Sequence, residues 1–123
     1  MVTFILNLIK LLRAIARGVR QDVEFRVLLY TLLSLLFGAT LFYTHIEGWS
    51  IIDSLYFSVM TMSTIGYGDL VPTTTLSKLF TITFAILSIG VFVAVVTKIV
   101  HVIIDRKTSK LVKRKAPADH LDK

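Results

Sequence analysis

The chain has 123 residues, 54% of them hydrophobic, with no cysteine and a formal net charge of +6. Its mean hydropathy of +0.75 is too high for an ordinary soluble domain, and without cysteine neither disulfides nor thiolate metal sites can form. The charges are segregated: basic residues crowd residues 1–26 and 105–123, and between them lie only Lys78, Lys98, Glu47, Asp53 and Asp69. This distribution points to a membrane protein and away from a nucleic-acid binder.

In residues 3–20, Thr3, Asn7, Lys10, Arg13, Arg17 and Arg20 recur every three or four positions. Phe4, Ile5, Leu8, Leu11, Leu12, Ile15 and Val19 fill the opposite face. The pattern predicts an amphipathic helix with a basic polar face, lying in the membrane interface. Cations punctuate the segment too often for a signal peptide. They also resemble the end of a voltage sensor's arginine-rich helix, but no other sensor helix precedes them.

Two segments are apolar enough for the roughly 20 residues that a bilayer span takes. The first, VLLYTLLSLLFGATLFY, begins near Val27, with Arg26 at its edge. The second runs from about Leu79 to Ile104 and is long enough to tilt or to project beyond the membrane. Two spans put both termini on one side. Because both termini are basic, the positive-inside rule predicts a multi-pass cell (plasma) membrane protein with cytoplasmic termini and residues 44–78 outside.

In the loop between the spans, Ser50 and Asp53 have capping-box spacing. The apolar stretch that follows is too short to span and predicts a helix descending partway into the membrane over 51–62. The sequence TMSTIGYGDLVPT comes next, and Pro72 ends any helix there. Glycine-rich backbone at membrane depth is tolerated only inside protein or along a watery cavity. Two spans and a short helix cannot enclose a cavity alone, but several copies around an axis can. Carbonyls pointing inward would then replace an ion's hydration shell, in a backbone conformation that Gly66 and Gly68 allow.

The TIGYGD stretch resembles the selectivity-filter signature of potassium channels. The order of span, DSLYFSVMTMSTIGYGDLVP and span resembles the two-transmembrane-helix pore module of bacterial potassium channels over about residues 25–104. The resemblance implies an all-α membrane protein with the four-fold tetrameric pore fold and a re-entrant pore helix. It implies a homotetramer that conducts potassium passively. The carbonyls of Thr64, Ile65, Gly66 and Tyr67, the Thr64 hydroxyl and Gly68 would form the ion-binding strand. The pore helix would aim its negative end at a central cavity. In this family an aspartate at the tyrosine position goes with non-selective conduction, so Tyr67 argues for potassium. No cofactor is expected beyond the permeant potassium ions, and no enzyme motif occurs.

The resemblance also marks departures. The position that pairs with Asp69 in some family members is Met60, which cannot pair with it. A bracing tryptophan falls at Tyr56, whose hydroxyl is expected to hydrogen-bond Asp69. The family's hinge glycine falls at Ser88, with Gly90 two residues on. Bending shifts to Gly90, or the Ser88 hydroxyl loosens a turn, or the helix does not hinge and Gly90 serves close packing. Ile89, Phe92, Val96, Val100 and Ile104 recur every three or four residues. By resemblance they line the pore and gate, although the spacing alone fits a face toward lipid or the outer helix.

Lys98, the only cation within a span, is expected to snorkel to the interface. His101 is expected to be interfacial, and His45, Glu47 and Trp49 to lie at the outer interface. Anionic headgroups are candidate partners for Lys10, Arg13, Arg17, Arg20 and the 106–115 basic tail.

The expected organisation is an interfacial helix over 1–24, a pore domain over 25–104 and a basic cytoplasmic tail over 105–123. Within the pore domain the outer helix covers 25–44, the pore helix 51–62, the filter 64–68 and the inner helix 77–104. Competing readings are a non-selective cation channel, which Tyr67 opposes, and a non-conducting accessory subunit, which would not need an intact TIGYG.

Overall fold

A computed structural model describes residues 1–115. Among them are four helices: α1 (Val2–Gln21), α2 (Val23–Ile46), α3 (Ile51–Met62) and α4 (Thr75–Lys115). Both α2 and α4 are long and apolar enough to cross a membrane, and little of either is buried within the protomer. A soluble core helix would be covered; these leave their apolar surface for lipid or for other chains.

A single residue separates α1 from α2. Asp22 is extended (φ −124°, ψ 115°), and its N–H closes α1 on the Gly18 carbonyl at 2.9 Å. Its carboxylate caps α2, accepting from the Glu24 amide at 2.9 Å and the Phe25 amide at 3.5 Å. Such a cap satisfies amides that have no partner within the helix. Folding back at Asp22 lays α1 against α2 and α4 through Ala14, Ile15, Gly18 and Val19.

The core lies where α2, α3 and α4 meet. Tyr43 is fully buried among Phe42, Trp49, Phe57 and Phe80, with ring centroids 4.9–5.6 Å from its own. Its hydroxyl lies 2.7 Å from Thr81 Oγ1, which itself donates to the Ser77 carbonyl at 2.7 Å. Thr81 has one proton, so Tyr43 must be the donor to it. Ser54, Ser58, Ser77 and Ser88 are fully buried as well. Small side chains let membrane helices approach closely. Their hydroxyls stay satisfied, as where Thr44 Oγ1 donates to Ser54 Oγ at 2.9 Å and Ser58 Oγ to the Ser54 carbonyl at 2.7 Å.

The predicted inner helix is continuous with the first part of the tail. α4 runs without a break through Ser88, Gly90 and Ile104 to Lys115. After Gly90 no glycine or proline occurs before Pro117, so nothing local ends the helix where the hydropathy falls. The rest of the predicted tail, residues 116–123, lies outside the described residues.

Candidate functional site

Residues 63–69 leave α3 by a tight return. Ser50 opens that helix, its Oγ accepting from the Asp53 amide at 3.0 Å. At the other end Ser63 Oγ donates to the Val59 carbonyl at 2.7 Å. The Met60 carbonyl accepts from both the Ile65 amide (3.0 Å) and the Gly66 amide (3.1 Å), and the Thr61 carbonyl from the Thr64 amide (3.1 Å). Met60 thus takes part through its backbone, pinning the start of the strand to the helix end. A side-chain motif cannot reveal such a role.

Beyond that anchor the backbone alternates. Thr64 (φ 63°), Gly66 (φ 51°) and Gly68 (φ 77°) are left-handed, whereas Ile65 and Tyr67 are not. The glycines adopt this conformation freely, but a β-branched threonine does so only under constraint, at a cost of about 1–3 kcal/mol. The protomer leaves the strand uncovered. Ile65 is 52% and Tyr67 71% exposed, and an added Cβ at Gly66 or Gly68 would meet nothing within 4 Å. The Asp69 carboxylate faces the Tyr56 phenol and acts on it through the hydroxyl proton as well as through its charge. No hydrogen bond of standard geometry joins the two among the described residues.

Two electrostatic ties hold the scaffold around the strand. Outside the spans, Glu47 caps the end of α2 and reaches across to the segment before α4. Its carboxylate accepts from the Thr73 amide (2.9 Å), the Thr73 hydroxyl (2.7 Å) and the Thr74 amide (3.2 Å). The nearby Ser77 hydroxyl also faces this carboxylate. Ser77 accepts from Thr74 Oγ1 at 2.8 Å, which leaves its own proton for the carboxylate. Ser77 and then Thr73 and Thr74 draw the Glu47 carboxyl down to about 2, against an opposing effect of desolvation. At the opposite end, Lys98 Nζ pairs with Asp22 Oδ2 (3.1 Å) and Glu24 Oε2 (2.7 Å). Lys98 thus ends on carboxylates at the α1–α2 elbow. The Lys98 ammonium is the chief reason the Asp22 carboxyl lies below its ordinary 3.8.

The other predicted positions are dispersed along α4. Ser88 is fully buried, with its Oγ 3.4 Å from the Ala85 carbonyl. Gly90 has no neighbour within 4 Å of a built Cβ, about 200° around the helix from Ser88. Ile89, Val96, Val100 and Ile104 are 41–53% exposed, while Phe92 rests partly on the core. Sequence reasoning missed Asp22, Tyr43–Thr81 and the Glu47 tie. Only Asp22 carried a local signal, as a capping residue just before an apolar run.

The sequence model of a family described as "Ion channel" matches residues 30–105. The chain belongs to this ion-channel family. It is 35% identical over 69 residues to two-pore potassium channel 5 of Arabidopsis thaliana, and 45% identical over 64 residues to the voltage-gated potassium channel Kch of Escherichia coli (strain K12). Those stretches are 56% and 52% of this chain but only 17% and 15% of the two relatives. A solved structure of a calcium-activated cation channel from Tsukamurella paurometabola is also similar, with a TM-score of 0.63 and 41% identity. The similarity covers 70% of this chain and 84% of that one. A second solved structure with the same measures is titled a calcium activated non-selective cation channel. The described residues are all-helical with two helices long and apolar enough to cross a membrane, and the family and the relatives are ion channels, not enzymes.

Proposed function

We propose that four copies of this chain surround an axis lined by their 64–68 strands and conduct potassium ions passively across the cell membrane. One observation carries the reading: a strand with alternating left-handed residues at 64, 66 and 68 is left bare by its own protomer. Alternation of this kind turns successive peptide planes toward one side, as a carbonyl filter requires. At membrane depth such backbone needs other protein around it. α3 is then the pore helix, α2 the outer helix and α4 the inner helix, with Ile89, Phe92, Val96, Val100 and Ile104 toward the conduction path. Thr64, Ile65, Gly66, Tyr67 and Gly68 form the filter, and Tyr56 and Asp69 stiffen its outer end. Both termini are cytoplasmic, because the basic ends flank the spans.

A second reading, non-selective cation conduction, draws support from the structural relative titled non-selective. The intact TIGYG at residues 64–68 favours potassium. Purified protein in liposomes under opposed potassium and sodium gradients separates the two. A reversal potential near the potassium equilibrium value is expected. Reversal near zero would assign the second reading, and absence of current would assign a non-conducting subunit. Native mass spectrometry should give a tetramer; a monomer or dimer would remove the basis for the filter.

A further inference from the structure

Below the Lys98 tie, α1 crosses the extended part of α4 and a groove of about 750 Å³ opens in the corner. Lys10, Arg13 and Arg17 line one wall, from α1. Arg106, Lys107 and Lys110 line the other, from α4. Leu11, Ala14 and Ile103 contribute an apolar floor, and no carboxylate lines the groove. Among the described residues both ion pairs belong to Lys98, so none of these six cations has a carboxylate partner. Asp22 and Asp105 line the neighbouring corner, which shares Arg17, Arg106 and Lys110 with the groove.

Like charges held around one concavity repel one another unless an anion occupies it. The direction in which the groove opens bears on the anion's source. Phe4, Ile5, Leu8 and Leu12 of α1 are 44–71% exposed. Their face and that of Lys10, Arg13 and Arg17 lie about 160° apart around the helix. With the apolar face in the membrane interface, the groove opens to the aqueous side, along the part of α4 that leaves the span. In that placement the groove is open to solutes in the water as well as bordered by headgroups.

We infer that this groove binds a soluble anion carrying several phosphates. It has the volume of a small-molecule pocket, six cationic side chains along its walls to donate to phosphate oxygens and an apolar floor for a flat or aliphatic attachment. A ligand seated there would grip α1 and α4 together.

The test uses the full chain in nanodiscs of phosphatidylcholine, titrated with inorganic tripolyphosphate and with ATP and followed by calorimetry. Saturable binding that weakens with added salt is expected. The triple variant Lys10→Gln, Arg13→Gln, Lys107→Gln should weaken it at least about tenfold. Lys113→Gln, Arg114→Gln, Lys115→Gln removes as much charge outside the groove and should leave binding within about twofold. Equal losses in the two triples would mean diffuse attraction and no site. Loss of binding when phosphatidylglycerol is added to the discs would assign the groove to lipid, and no saturation would remove the ligand altogether. Native mass spectrometry of both triples controls for assembly. Because binding is read without current, failure here leaves the conduction reading untouched.

Discussion

Lys98 Nζ stands 2.7 Å from Glu24 Oε2, joining α4 to the first turn of α2. The same ammonium holds Asp22, the residue that ends α1 and caps α2. Lys98→Met should free α1 while leaving the cap in place. The expected result is hydrogen exchange at α1 amides several-fold to roughly tenfold faster, with α3 unchanged. The Asp22 carboxyl lies below its ordinary 3.8 in the folded chain. Its contribution is therefore complete above that value and is lost as the pH falls through the lower folded one. Wild type and variant should differ fully at neutral pH and converge in strong acid.

The Glu47 tie closes the outer end. Glu47→Gln keeps an acceptor oxygen but loses the charge facing the Thr73 and Thr74 amides. After allowance for solvent screening, a loss of about 1 kcal/mol is expected. With its carboxyl drawn down to about 2 from 4.5, the tie is at full strength above 4.5 and fails as the pH falls toward 2. Thermal melts of the detergent-solubilised protein should show a gap between wild type and variant at pH 7 that narrows below about pH 4.

Tyr43 donates to Thr81, and Thr81 to the Ser77 carbonyl. Removing the donor and removing the acceptor should have unequal costs. Tyr43→Phe leaves Thr81 bonded and should cost about 1 kcal/mol. Thr81→Val strands a buried phenol proton and should cost about 1–3 kcal/mol. Denaturant titration of both variants checks the order, and the reverse order would show that Thr81 is the donor.

Gly66 has φ 51°, and an alanine there would carry about 1–2 kcal/mol of left-handed strain in every subunit. Its Cβ would touch nothing in its own chain. Gly66→Ala should therefore leave helical circular dichroism intact while cutting potassium flux into liposomes by at least about tenfold. Normal flux would mean that the strand does not line the path.

Ser88 and Gly90 should respond in opposite ways. Ser88→Leu forces volume into a fully buried site and should cost about 1–3 kcal/mol or more. Gly90→Ala meets empty space in the protomer and should stabilise α4 by about 1 kcal/mol. Thermal stability of the two variants reads this directly.

The elements legible in the sequence had local causes. The spans follow from uninterrupted hydropathy, α3 begins behind the Ser50 cap that the S-I-I-D spacing announces, and the glycines at 66 and 68 mark where the backbone turns left-handed. The left-handed Thr64 was not legible, because its conformation is imposed by the Met60 and Thr61 carbonyls. Nor were the partners of Glu47, Tyr43 and Lys98, which lie 26, 38 and 74 or more residues away. Such pairs exist only once α2 and α4 lie side by side. The length of α4 beyond the span carries no hydropathy signal, since hydropathy marks where a membrane ends and not where a helix does.

The unbroken α4 has a mechanical consequence. Its 41 residues make a rod roughly 60 Å long, about twice the hydrocarbon thickness of a bilayer. The lower part is thus a lever arm rigidly joined to the part beside the strand. A tilt of about 10° pivoting near residue 103 would swing the Lys115 end by roughly 3 Å and the Thr75 end by roughly 7 Å. A small displacement of residues 103–115 is therefore enlarged roughly twofold at the membrane-embedded end.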